Sequence, residues 1–156
     1  MAWYPVTENT HEHGILARSV APARLPSEIA ARAAGVAATL ATGMNITGLL
    51  AVEMFLGRDG QVLMNEMAPR PHNSAHWTMD GAETCQFEQL VRIAAGWPLG
   101  GTAMTVSKIE MDNLLGDSAA RIFEAAGQRG HFPHWYGKRE AAPGRKMGHV
   151  NKVKLF

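Results

Sequence analysis

The stretch Gly48-Leu49-Leu50-Ala51-Val52-Glu53-Met54-Phe55-Leu56, Gly57-Arg58-Asp59-Gly60, Gln61-Val62-Leu63-Met64-Asn65-Glu66-Met67 reads as two strands joined by a tight turn. With Asp59-Gly60 as a two-residue turn, Arg58 pairs with Gln61 and Glu53 stands opposite Glu66. With residues 57–60 as a four-residue loop, Glu53 pairs with Met64 and Glu66 becomes its diagonal neighbour. Either register puts the two acids on one face, about 4.5–8 Å apart at Cβ. Asn65 is expected on the other face. The neighbours Ala51, Val52, Met54, Phe55, Val62, Leu63 and Met64 are apolar, which predicts a hairpin covered on both sides. Opposed carboxylates in such a place repel, and a cation is the simplest remedy. Carboxylates sharing an ion with phosphate oxygens suit magnesium. Two other readings stay open: two solvated glutamates, or an acid–base pair in a hydrolase.

The loop that follows, Ala68-Pro69-Arg70-Pro71-His72-Asn73-Ser74-Ala75-His76-Trp77, is stiffened by two prolines. Arg70 offers a planar fork for an oxyanion such as bicarbonate or a phosphoryl group. His72 is a candidate proton carrier or donor. His76 and Trp77 are expected to pack. Upstream, Trp3–Thr7 reads as a strand, 8–14 as a turn and Ile15–Ala21 as a second strand. A helix opens at Pro26-Ser27 and stops near Gly43. His11 and His13 lack a third ligand at zinc spacing. Downstream, Glu83–Ala95 reads as a helix whose Phe87, Leu90, Val91 and Ala94 share an apolar face. A strand within 103–115, a short helix over 118–126 and two closing strands, 131–136 and 146–153, complete an α+β pattern.

The chain has 156 residues, 46% of them hydrophobic, and a formal net charge of +1, which excludes wholesale disorder. Its single Cys85 excludes a disulfide scaffold and points to a cytoplasmic setting. No stretch reads as a membrane span or a signal peptide, so no membrane partner is expected. The near-zero charge hides an asymmetry. Residues 129–156 carry +6 and the rest −5, which suggests a phosphate-bearing ligand, an internal pairing or a solvated basic tail. No nucleic-acid-binding pattern accompanies it, so nucleic acid is not an expected partner.

The run Val62-Leu63-Met64-Asn65-Glu66-Met67-Ala68-Pro69-Arg70-Pro71-His72-Asn73-Ser74-Ala75-His76-Trp77-Thr78 closely resembles one family, the 5-(carboxyamino)imidazole ribonucleotide synthases, ATP-grasp enzymes of purine biosynthesis. The stretches Tyr4–Asn9 with His11 and Gly14-Ile15-Leu16, Gln86-Phe87-Glu88, and His134–Lys138 leading to Pro143–His149 agree with it. Glycinamide ribonucleotide formyltransferase shares the Asn-Glu…Pro-Arg-Pro-His loop but differs after the histidine.

The resemblance implies the C-terminal half of an ATP-grasp domain (residues 1–100), followed by a small β-rich C-terminal domain (residues 101–156) that binds substrate phosphate. It implies that ATP phosphorylates bicarbonate to carboxyphosphate, which then carboxylates the amine of 5-aminoimidazole ribonucleotide. Glu53 and Glu66 would hold Mg2+, and His11, Asn65 and Glu66 would meet the nucleotide. Arg70, His72 and Asn73 would surround bicarbonate and the reacting amine. Lys138, Arg145 and Lys146 would meet substrate phosphate. A homodimer is implied for the full enzyme. Ala75 stands where the family usually has Gly, and Cys85 where Ser is common. Family members are more than twice as long. The leading domain, the lid with its lysine and the adenine-holding strands are not found in this sequence. A catalytic portion and a complementing subunit inactive alone are therefore both expected classes.

Overall fold

The computed structural model describes residues 1–155. In chain order the elements are β1 (Glu8–Glu12), β2 (Ile15–Ala21), α1 (Ser27–Gly43), β3 (Ala51–Leu56), β4 (Val62–Ala68), α2 (Thr78–Gly81), α3 (Gln86–Ala94), β5 (Lys108–Leu115), α4 (Arg121–Ala126), β6 (His131–Trp135) and β7 (Lys146–Lys154). Short 3-10 turns span Asn73–Ala75 and Gly116–Ser118. The architecture is α+β, as the sequence pattern indicates.

Five strands form one antiparallel sheet in the order β1-β2-β5-β7-β6. It joins the first hairpin of the chain to the C-terminal strands. One buried cluster holds Leu16, Ala21, Trp77, Val106, Ile109 and Met111, and a smaller one holds Leu114, Ala125 and Val150. Charged side chains also cross the sheet. Arg18 Nε and Nη2 donate to the two Asp112 oxygens at 2.5 and 3.1 Å, and Lys152 Nζ adds a bond at 2.5 Å. Burial alone would push the Asp112 carboxyl up, but these donors outweigh it and hold it below its ordinary value.

Three expectations need correction. Trp3–Thr7 is not a strand. The first strand lies at Glu8–Glu12, and the reversal falls at His13-Gly14, whose φ values of 50° and 77° suit a two-residue hairpin turn. The aromatic segment packs instead: Tyr4 meets the Trp77 ring edge-on at 6.1 Å and donates to the Thr84 carbonyl at 2.5 Å. Next, α3 turns the other way. Gln86 and Gln89 are buried, while Phe87, Leu90, Val91 and Ala94 are exposed. The glutamines are inside because their amides bond to main chain: Gln89 pairs with both Gly100 N–H and C=O. Finally, the β3–β4 hairpin is a separate two-stranded sheet with Phe55, Leu56, Leu63, Met64 and Met67 exposed, so it is not covered on both sides.

Beside that hairpin lies α1. None of its 17 residues is buried. Its Ile29, Ala33 and Ala37 line a cleft of about 870 Å³ together with Val52 and Met54 of β3. Arg32 Nη1 donates to the Gly60 carbonyl at 2.7 Å and so ties the helix to the hairpin tip.

Candidate functional site

The hairpin sets the geometry through an irregularity. Its tip is a three-residue loop, Arg58-Asp59-Gly60, closed by Gly57 N–H donating to the Gln61 carbonyl at 2.8 Å. Gly60 takes φ 78°, which such a loop asks of its last residue. Continued without a break, this loop would put Glu53 opposite Asn65. A bulge between Glu53 and Met54 absorbs one residue and pairs Glu53 with Glu66. Neither anticipated loop length is present, yet the anticipated pairing is. The bulge also breaks strict alternation, and Asn65 lines the same cleft as Glu53 instead of belonging to the far face.

His72 comes between the two acids. Its Nδ1 is 3.7 Å from a Glu53 oxygen and its Nε2 3.8 Å from a Glu66 oxygen. One donor atom from each of Glu53, Glu66 and His72 lies within 4.8 Å of the others. Glu53 is sheltered, with a side chain only 12% exposed, whereas Glu66 is 61% exposed. His11 Nε2 approaches Glu53 at 3.9 Å, and Asn9 Nδ2 donates to it at 3.4 Å. Burial drives His72 below the ordinary imidazole value, against the opposing pull of Glu53. At neutral pH it is therefore an uncharged ring, able to donate from one nitrogen and accept at the other.

The donor set fits a hard divalent ion completed by phosphate oxygens: two carboxylates, one sheltered and one open. His72 suits a proton-handling role beside them better than a place on magnesium, which prefers oxygen.

Cations surround this centre. Arg70 lines the cleft, and its Nη1 donates to the Pro71 carbonyl at 3.0 Å. Lys146 is pushed below its ordinary value chiefly by burial, with Glu53 and Glu66 opposing and Lys138 and Arg70 adding to the shift. It therefore sits within electrostatic reach of the hairpin acids. Lys138 Nζ donates to the Lys146 carbonyl at 2.6 Å, which locks these two basic residues together. Arg145 is exposed, and among the described residues its side chain has no hydrogen-bond or ion-pair partner. Asn73 differs from its neighbours: both polar atoms of its amide are buried without a partner. Such a group is costly unless a ligand or water satisfies it.

Sequence reasoning missed Asn9, Ser74 and Gln86. Asn9 sits one bond from Glu53, and Ser74 Oγ pairs with His72 Nδ1 at 2.8 Å. Gln86 holds the His72 main chain. Its signals were a polar residue following Thr84-Cys85 and its place in the matching stretch Gln86-Phe87-Glu88, neither of which assigns it a role. His76 and Trp77 pack as expected, Trp77 with no exposure and its Nε1 donating to Thr7 Oγ1 at 3.0 Å. Behind the loop, His134 stacks on His149 at 4.5 Å, and His134 Nε2 bonds to Asp80 at 2.7 Å.

Comparison with known proteins fits this geometry. Residues 1–87, more than half of the chain, match the ATP-grasp domain model. Residues 110–155 match the phosphoribosylaminoimidazole carboxylase C-terminal domain. Over 152 residues the chain is 46% identical to N5-carboxyaminoimidazole ribonucleotide synthase of Bacillus subtilis, covering 97% of this chain and 40% of that protein. An N5-carboxyaminoimidazole ribonucleotide synthetase solved as an ADP complex superimposes with a TM-score of 0.92 at 43% identity, over 97% of this chain and 40% of that one. The Aspergillus clavatus N5-carboxyaminoimidazole synthase, solved with ADP and 5-aminoimidazole ribonucleotide, gives 0.89 at 31% identity, over 98% and 43%. The chain thus spans about two-fifths of the length of the relatives it matches. It belongs to the ATP-grasp family, and its likeness along nearly all its length is to the carboxy-terminal portion of the N5-carboxyaminoimidazole ribonucleotide synthases.

Proposed function

We propose that this chain carries the phosphoryl-transfer and carboxylation end of an ATP-dependent carbon–nitrogen ligase. Bicarbonate is phosphorylated to carboxyphosphate, the amine of 5-aminoimidazole ribonucleotide takes up the carboxyl group, and ADP and phosphate leave. The observation that carries the reading is the meeting of Glu53, Glu66 and His72 beside Arg70 and Lys146. Glu53 and Glu66 would hold Mg2+, which when bound neutralises charge on the phosphates. His11, Asn65 and Glu66 meet the nucleotide. Arg70 forks onto the bicarbonate oxygens. The unpartnered Asn73 amide offers a donor and an acceptor to the same small anion. Neutral His72 accepts the proton that the attacking amine gives up. Lys138 and Lys146 with Arg145 hold the substrate phosphate. This division of labour puts the nucleotide side in residues 1–100 and the substrate-phosphate side in 101–156.

Among the described residues no helix is long and apolar enough to cross a membrane. We place the reaction in the cytoplasm, with a homodimer as the assembly of the full enzyme. ADP release dependent on 5-aminoimidazole ribonucleotide and bicarbonate tests the proposal. Turnover that disappears in Arg70→Ala and His72→Ala supports it, and ATP-independent hydrolysis by the glutamate pair would overturn it. A second reading has its own support in the open hairpin face and the unburied α1: a complementing subunit, active only with a chain that covers them. Turnover restored only on mixing with the amino-terminal portion of a relative would establish that form.

A further inference from the structure

The loop that bears His72 has little regular structure of its own. Two prolines stiffen it, and a single 3-10 turn follows. Something must fix where the ring sits. Gln86, the first residue of α3, is 3% exposed, and its amide makes three bonds to that loop. Its Oε1 accepts from the His72 N–H at 2.8 Å. Its Nε2 donates to the His72 carbonyl at 2.9 Å and meets His76 Nδ1 at 2.8 Å.

The orientation of this amide follows from its partners. A main-chain N–H can only donate, so it must face Oε1. A carbonyl can only accept, so it must face Nε2. The second Nε2 hydrogen is then left for His76 Nδ1, which must be an acceptor. The Gln86 backbone is held as well: its N–H donates to Thr78 Oγ1 at 3.1 Å, and that hydroxyl donates to the Ala75 carbonyl at 2.7 Å.

We propose that Gln86 is the positioning residue of this site: its amide clamps the His72 main chain, setting the imidazole between Glu53 and Glu66, and holds His76 as the tautomer protonated on Nε2. No other side chain makes hydrogen bonds to both main-chain groups of His72 among the described residues. Gln86 does not touch the reacting atoms. It acts through His72, as partners behind a metal or catalytic ligand commonly do.

The test uses the whole chain and does not need turnover. Long-range nitrogen–proton NMR of the wild type should show His76 with a bare Nδ1 and a protonated Nε2; a protonated Nδ1 would overturn the proposal without any variant. Gln86→Glu keeps the acceptor for His72 N–H and removes both donors, so His76 should move its proton to Nδ1. An unchanged His76 pattern in that variant contradicts the clamp. Gln86→Met removes all three bonds at similar length. Nuclear Overhauser contacts from the His72 ring to the Glu53 and Glu66 side chains should vanish in it, while the buried Trp77 indole resonance stays in place as a control for folding. Contacts that persist would reject the positioning role.

One arm rests on the ion-binding reading given above. Mn2+ affinity should fall about tenfold or more in both variants, the usual effect of losing a supporting partner. A wild-type chain that takes up no Mn2+ would remove the ion-binding reading and leave the tautomer and ring-contact results to decide on Gln86.

Discussion

Glu53 and Glu66 stand directly opposite each other across β3 and β4, one sheltered beneath His11, Asn9 and His72 and the other open to solvent. Like charges so placed destabilise the hairpin until an ion neutralises them. Mn2+ should therefore raise the unfolding temperature of the wild type, with a gain of about 2.7 kcal/mol at a hundredfold excess over Kd. Glu66→Gln should abolish that gain while leaving ion-free stability within about 0.5 kcal/mol. Calorimetric melts with and without Mn2+ check both. A Glu66→Gln protein still stabilised by Mn2+ would place the ion elsewhere.

Acid should weaken the fold from an unusual source. Burial lowers His76 to about 4 and His149 to about 3, each below the usual 6.5. The unfolded chain thus binds protons that the native chain refuses. Stability is full above pH 6.5 and declines as pH drops towards 4, by about 1.4 kcal/mol per unit for each ring. Urea titrations between pH 7 and 4.5 should show this slope, and His149→Phe should make it shallower. A flat profile over that range would mean the rings are not held neutral.

Trp77 is fully buried, packs on Tyr4 and donates to Thr7. Trp77→Ala should cost about 3–5 kcal/mol. Gly148 is equally constrained, since a Cβ there would lie 2.4 Å from the His134 carbonyl oxygen. Gly148→Ala must therefore part β6 from β7. Chemical denaturation should find both variants strongly destabilised, and a wild-type midpoint for Gly148→Ala would contradict the close approach.

Arg145 and Lys146 are neighbours with different surroundings. Arg145 is exposed, whereas Lys146 is half-buried within reach of Glu53 and Glu66. On the proposed function, Arg145→Ala should leave stability unchanged and weaken binding of 5-aminoimidazole ribonucleotide by tenfold or more, roughly the loss of a charge-assisted bond. Lys146→Gln should disturb nucleotide and substrate affinity together. Titration calorimetry of each ligand against each variant separates these effects.

Much of the frame could be read from sequence. β2 falls at Ile15–Ala21 and α1 ends at Gly43, because a mostly apolar run closed by Pro22 and a three-to-four spacing after Ser27 are local signals. Counting from a two-residue turn also gave the Glu53–Glu66 pairing, but from the wrong turn: the actual tip is one residue longer, and the bulge at Glu53, which no local signal marks, restores the pair. What stayed hidden depended on partners far along the chain. Gln86 and Gln89 look like an outer face until the carbonyls of His72 and Gly100 come within reach. The apolar Phe87, Leu90 and Val91 look like an inner face for the same reason. His11 was read as part of a turn because nothing local shows that Glu8–Glu12 will pair with β2. The role of Asn9 beside Glu53 followed from that pairing and was invisible without it.

The bulge beside Glu53 has a consequence for how this hairpin tolerates change. It works as a slip joint: the acids keep their phase from the base of the ribbon, near Ala51 and Ala68, while the tip at Arg58–Gly60 keeps a phase of its own. Loops of different length could be grafted onto the tip without turning either carboxylate away. Asn65 is the extra residue of that joint, so deleting it would leave Glu53 opposite Glu66 in an unbroken ladder but would bind the phase of the tip to that of the base.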